Sequence, residues 1–198
     1  MQLAVIDYGA ANLASVMFAL ERLDVQANLT TNPEEILAAE RVLFPGVGAA
    51  KASMDSILKL ELDSCIKSLK QPVMGICMGM QLLFQSSEEG RTPMLNVISE
   101  EVRHFDKSNR FSVPHIGWNT INIEKSSSLF DGLGKKSYFY FVHSYYAPVS
   151  DYTLASCQYA NNFSAIIQKE NFYGCQFHPE KSGENGAKIL KNFVEGDL

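Results

Sequence analysis

Short apolar runs alternate with amphipathic stretches through the first half of the chain. Residues 2–7 are almost wholly apolar and end at Tyr8-Gly9, which predicts a buried strand. Leu13, Val16, Met17 and Leu20 then recur at helical spacing behind Asn12 as a cap, so a helix is expected over 12–22. A second strand is expected over 25–30. Asn32-Pro33-Glu34-Glu35 is a helix start, with a cap residue, proline at the first helical position and acids in the first turn. A third strand over 41–44 stops at Pro45-Gly46-Val47-Gly48. One helix is then expected over 50–69, a strand over 72–76 and a further helix opening over 78–84.

Such strand–helix alternation implies a mostly parallel central sheet with right-handed crossovers and helices on both faces. From Val97 onward the pattern changes. Strands are expected over 113–116, 120–123, 138–143, 154–159, 165–168 and 173–177, with turns at 126–128 and 131–134 and one last helix over 184–194. The expectation is a single α/β domain over 1–198 with an extra antiparallel β region.

Composition narrows the chemistry. Hydrophobic residues make up 46% of the chain and charged residues 20%, which suits a globular protein with a sizeable core. A net charge of -5 argues against a nucleic-acid partner, since phosphate binding needs a basic face. No apolar run approaches bilayer-spanning length, and the N-terminal residues lack a signal-peptide pattern, so a cytoplasmic location is expected. Cys65, Cys77, Cys157 and Cys175 are far apart and do not cluster with the His residues, so neither a disulfide framework nor a metal site is expected. Each cysteine is then a small core residue or a reactive group.

Cys77 has the setting of a reactive group. Gly75-Ile76-Cys77-Met78-Gly79 has the form Gly-x-nucleophile-x-Gly between an expected strand and an expected helix. A sharp turn there pushes the middle side chain out above the sheet, and the flanking glycines are expected to relieve clashes, because the nucleophile's backbone is strained there. A following helix N-terminus favours the thiolate, the reactive form. The N–H of Met78 is placed to bind an oxyanion, and a second donor is expected from Val47 and Gly48 in the glycine-rich turn. A thiolate also needs a group that protonates a leaving amine, which histidine does best near neutral pH. His104 lies in a charged stretch and is expected on the solvated surface. His115 and His143 sit in strand-like runs, as core or site-lining residues. His178 follows an apolar strand and precedes Pro179-Glu180. Along an extended segment Glu180 shares a face with His178 and would bond one ring nitrogen, leaving the other to face a thiol. A buried structural cysteine and an exposed His-Pro-Glu turn are the plain alternatives, and they weaken when both motifs occur in one chain.

Gly75-Ile-Cys77-Met-Gly79-Met-Gln81 together with Gln176-Phe-His178-Pro-Glu180 resembles the class I glutamine amidotransferases. Asp7-Tyr8-Gly9 with Asn12, Pro45–Gly48, Pro114–Asn119, His143-Ser144-Tyr145-Tyr146 and Lys181-Ser182-Gly183 are similar to the branch that serves a (β/α)8-barrel cyclase in histidine biosynthesis. Ala11 departs from the glycine usual there. The resemblance implies a flavodoxin-like fold of the amidotransferase type and hydrolysis of glutamine to glutamate and ammonia by Cys77, His178 and Glu180. It implies an oxyanion hole of Val47, Gly48 and Met78. It implies glutamine binding by Gln81 and Glu89 (Glu88 being the alternative) with His143, Ser144 and Tyr145. No cofactor or metal is implied. The chain shows no motif that would use ammonia, so the barrel cyclase subunit is the expected partner, as a heterodimer, with Asn12, Trp118, Tyr138 and Lys181 at the interface. Core packing is the alternative for Trp118. Another barrel-feeding glutaminase, or a silent module that retains the elbow, would be the competing readings.

Overall fold

The computed structural model describes residues 2–9, 13–106, 111–134 and 136–198. The first half follows the expected alternation: β1 (Leu3–Ile6), α1 (Leu13–Glu21), β2 (Ala27–Thr30), α2 (Pro33–Ala38), β3 (Arg41–Gly46), α3 (Ala50–Lys59), α4 (Leu62–Ser68), β4 (Val73–Cys77) and α5 (Met78–Leu82). The chain then forms β5 (Phe84–Ser87), β6 (Thr92–Pro93), β7 (Ile98–His104), β8 (His115–Thr120), β9 (Asn122–Ile123), β10 (Tyr138–His143) and β11 (Tyr145–Tyr146). It closes with β12 (Thr153–Gln158), β13 (Asn162–Lys169), β14 (Phe172–Cys175) and α6 (Gly183–Glu195).

An eight-stranded sheet runs in the order β2-β1-β3-β4-β14-β13-β12-β9. Pairing is parallel from β2 to β14 and antiparallel beyond it. This is the expected parallel sheet with an antiparallel extension. Period-two alternation splits its side chains between two cores. Leu3, Val5, Leu43, Met74 and Ile76 join α1 and α6 on one face. Ala4, Ile6, Val42, Phe44 and Val73 join α2 to α5 on the other.

Several expected boundaries change for identifiable reasons. The helix over 50–69 is broken, because Glu61 adopts a left-handed conformation at φ 57. Ile57 and Leu62 both point to the core. Five residues along an unbroken helix they would lie about 140° apart, so the break keeps both apolar faces inward. The helix at 78–84 closes after five residues, and the chain turns into β5. β7 answers to no expected strand. It carries only Ile98 and Val102 as apolar residues, four apart, a spacing that helices also give. The strands expected over 113–116 and 120–123 become β8 and the short β9. Pro114 has no N–H to offer a ladder, and pairing with β10 begins at His115.

The crossing of α5 over β3 and β4 positions the site. A Cβ on Gly79 would lie 1.7 Å from the Phe44 carbonyl oxygen, and one on Gly75 would lie 2.6 Å from the Met80 nitrogen. Neither glycine has a positive φ. They provide the steric clearance expected from the sequence, without taking up a strained conformation themselves. The strain falls on Cys77 itself, at φ 53 and ψ -110. A Gly79→Ala variant should therefore lose at least about 3 kcal/mol of stability in urea unfolding, through a clash with backbone that cannot move aside. Gly134→Ala, in open space, should stay within about 0.5 kcal/mol of the parent. Equal midpoints for the two variants would contradict this account of the crossing.

Candidate active site

Cys77 is the last residue of β4 and the residue before α5. Backbone of this kind costs a non-glycine residue about 1–3 kcal/mol and recurs at functional sites. It aims the side chain away from the sheet into a cavity of ≈ 300 Å³. α5 has only five residues, so the dipole help expected from a longer helix reduces to its nearest N–H groups. β3 lies directly beside β4, with Gly46 paired to Cys77. That register delivers Val47 and Gly48 to the cavity wall next to Met78. Gly48 has φ 98, where any side chain would be strained.

β14 flanks β4 on its other side. The chain leaves it through Gln176 and Phe177 and reaches His178, whose N–H donates to the Tyr140 carbonyl at 2.9 Å. His178 is extended, but Pro179–Lys181 forms a 3-10 turn instead of the expected extended segment. The turn carries Glu180 back so that its Oε1 accepts from His178 Nδ1–H at 2.8 Å. Both side chains are buried, His178 6% and Glu180 2% exposed. The second imidazole nitrogen is left for the thiol side. Burial pushes the His178 pKa down, but hydrogen bonds and charge from Cys77 and Glu180 outweigh it and raise it to about 10. These partners favour the protonated ring, the form that can give a proton to a leaving group.

The remaining walls come from α5, the turn after β5 and the β10–β11 link. Gln81, Glu89, His143, Ser144 and Tyr145 all line the cavity. Glu89 is tethered there by the Ala50 N–H at 2.7 Å. Glu88 instead accepts the His104 N–H at 2.7 Å and does not line the cavity. His104 is half-buried, its ring edge-on to Tyr145, and not a freely solvated residue. Trp118 is 55% and Tyr138 51% exposed, so Trp118 is not packed in the core. Lys181 is exposed in the turn behind Glu180. Asn12 and Ala11 lie outside the described residues. No group of three or more potential ligands among the described residues could hold a metal ion, and no helix among them is long and apolar enough to cross a membrane.

Gln176 was given no role by the sequence, and His115, expected as a core or site-lining residue, is buried. His115 donates or accepts through Nδ1 to His143 Nε2 at 3.1 Å, and His143 Nδ1 meets the Tyr145 carbonyl at 2.8 Å. A carbonyl only accepts, so His143 carries its proton on Nδ1, and His115 Nδ1–H must be the donor between the rings. Burial lowers the His143 pKa to about 3 and that of His115 to about 4. Gln176, fully buried, accepts from Gln81 Nε2 at 2.8 Å and places its own Nε2 3.8 Å from Cys77 Sγ. A glutamine inside an apolar strand end was the available signal.

The family described as glutamine amidotransferase class-I matches residues 4–196. The imidazole glycerol phosphate synthase subunit HisH of Bacteroides fragilis is 49% identical over 98% of this chain and 100% of its own. HisH of Escherichia coli K12 is 46% identical over 98% and 100% respectively. Among solved structures, PurLQS from Thermotoga maritima superposes with a TM-score of 0.70 at 17% identity, covering 98% of this chain and 97% of that one. A glutamine amidotransferase from Thermotoga maritima gives a TM-score of 0.65 at 14% identity, covering 97% and 81%. These two structures speak for the fold alone.

The histidine pair generates a pH prediction. Both rings stay neutral in the fold down to about 4, whereas in the unfolded chain they take up protons below ~6.5. Stability must then fall as pH drops through that window, by up to about 1.4 kcal/mol per pH unit for each ring. In His115→Phe the slope of unfolding free energy against pH, between about pH 6 and about pH 4.5, should be shallower by about 1 kcal/mol per unit. An unchanged slope would show that His115 is not held neutral.

Proposed function

The chain belongs to the class I glutamine amidotransferases, in the imidazole glycerol phosphate synthase subunit HisH branch, and on that premise we propose that Cys77, His178 and Glu180 are its glutaminase triad. The activity is that of the glutaminase subunit of the synthase in histidine biosynthesis. The observation that carries the residue assignment is a positive-φ cysteine at the end of a central parallel strand, sharing one cavity with a histidine whose far nitrogen is held by a buried carboxylate.

Cys77 Sγ attacks the side-chain amide carbon of glutamine. The oxygen of the tetrahedral intermediate is met by the N–H of Met78 and by an N–H from Val47 or Gly48. His178, protonated, gives its proton to the departing ammonia, and a γ-glutamyl thioester remains. Water deprotonated by His178 then cleaves the thioester to glutamate and restores the thiol. Glu180 keeps the proton of His178 on Nδ1 throughout and stabilises the imidazolium. Glu89 faces the substrate's α-ammonium, for which a carboxylate is the natural partner. Gln81, His143, Ser144 and Tyr145 complete the pocket.

The ammonia is passed to a (β/α)8-barrel cyclase subunit, which makes imidazole glycerol phosphate and aminoimidazole carboxamide ribotide. Exposed Trp118, Tyr138 and Lys181 lie at the interface, with Asn12. Large aromatic side chains half open to water are typical anchors of protein interfaces.

In the complex, Cys77→Ala should abolish glutamine-dependent synthesis while ammonium salts still support it. Residual glutamine-dependent turnover above about one-thousandth of the parent's would remove Cys77 from the mechanism. Loss of both activities would place the defect in folding or docking.

A further inference from the structure

We propose that Gln176 is a further catalytic residue of this site: its side-chain N–H donates to the Cys77 sulfur and favours the thiolate, in an orientation dictated from the Tyr145 carbonyl through Gln81. This rests on Cys77 being the nucleophile.

The orientation follows from donor and acceptor types alone. The Tyr145 carbonyl oxygen can only accept. The Gln81 atom 2.9 Å from it is therefore the NH2 end of that amide. The same NH2 group lies 2.8 Å from Gln176, so an oxygen is required there. A flipped Gln176 would set two NH2 groups against each other. Its NH2 is thus turned the other way, toward Cys77 Sγ at 3.8 Å. His143 Nδ1–H lands on the same Tyr145 carbonyl, so the origin of this polarity is clamped by two donors. Gln176 is fully buried and Gln81 is 2% exposed, which leaves water little chance to substitute for a missing partner.

An amide N–H is a poor match for a neutral thiol and a good match for a thiolate, because hydrogen bonds to charged groups are stronger. When the thiol proton moves to His178, the Gln176 N–H gains its full partner. The buried donor therefore shifts the proton equilibrium toward the reactive form. A second consequence concerns the substrate. Both N–H groups of Gln81 are already used, so Gln81 shows only its oxygen to the cavity, and the ligand atom that meets it must be a donor.

The test is the rate of Cys77 alkylation by iodoacetamide as a function of pH, read by peptide mass spectrometry on the full chain, with folding checked by thermal unfolding. Gln176→Met keeps the volume and removes the N–H. It should slow Cys77 alkylation by about tenfold at neutral pH and move the half-maximal rate to higher pH, while the two proteins converge at alkaline pH. A purely structural role would lower the rate by one factor at every pH, and that result, or superimposed profiles, would overturn the proposal. Should Gln176→Met fail to fold, Gln81→Met carries the test. It leaves Gln176 in place without its anchor; an upward shift of the profile supports the proposal and superposition overturns it. If wild-type Cys77 reacts no faster than Cys65, Cys157 or Cys175, the nucleophile assignment fails instead. Wild-type selectivity with unchanged variant profiles removes only the role of Gln176.

Discussion

The close approach of α5 to β3 is the constraint on which the site depends. With Gly79 pressed against the Phe44 carbonyl, the chain has no room to ease out of β4 gradually. It must reverse within one residue, and Cys77 absorbs the turn at φ 53. The sheet order then does the rest. β3 and β14 flank β4, so the Val47–Gly48 turn arrives on one side of the sulfur and His178 on the other. A one-place change in strand order would separate these groups while leaving every motif intact. The energetic consequence is that local strain of about 1–3 kcal/mol at Cys77 is held by packing on both faces of the sheet.

The motifs with short-range geometry were legible in the sequence. Gly-x-Cys-x-Gly between an apolar run and a helix announces an elbow, and His178-Pro179-Glu180 announces a paired imidazole. Strand–helix alternation announced the parallel half of the fold. What could not be read has physical reasons. The break at Glu61 lies in a phase slip between Ile57 and Leu62, with no glycine or proline to mark it. β7 has two apolar residues and charged neighbours, so its pairing with β5 is a tertiary fact. The clearance expected of Gly75 and Gly79 is found, but the atoms they clear, Met80 N and the Phe44 carbonyl, are set by how α5 crosses β3 and β4. The choice between Glu88 and Glu89 required the fold, since adjacent acids point to opposite partners.

Beyond the proposed triad, the site holds two branches of buried polar groups that meet at the Tyr145 carbonyl, which accepts from both His143 and Gln81. One branch runs from His115 through His143 to that carbonyl, and the other leaves Gln81 through Gln176 to the sulfur. His115, His143, Gln81 and Gln176 each donate to a defined acceptor, which favours a stiff buried network. Such stiffness suits the proposed mechanism, which places a thiolate, an oxyanion hole and a proton donor at one point. It also fits the proposed delivery of ammonia to a partner, since Trp118 and Tyr138, proposed for the interface, are exposed.

The central claim is that Cys77 forms a covalent intermediate with glutamine. Acid-quenching the synthase complex during turnover, followed by mass spectrometry of the peptide that contains Cys77, tests it directly. The expected result is a γ-glutamyl thioester on Cys77, at a level that rises and then holds steady while glutamine is consumed. Sustained turnover with no modified Cys77 peptide, or with the glutamyl group on another cysteine, would contradict it.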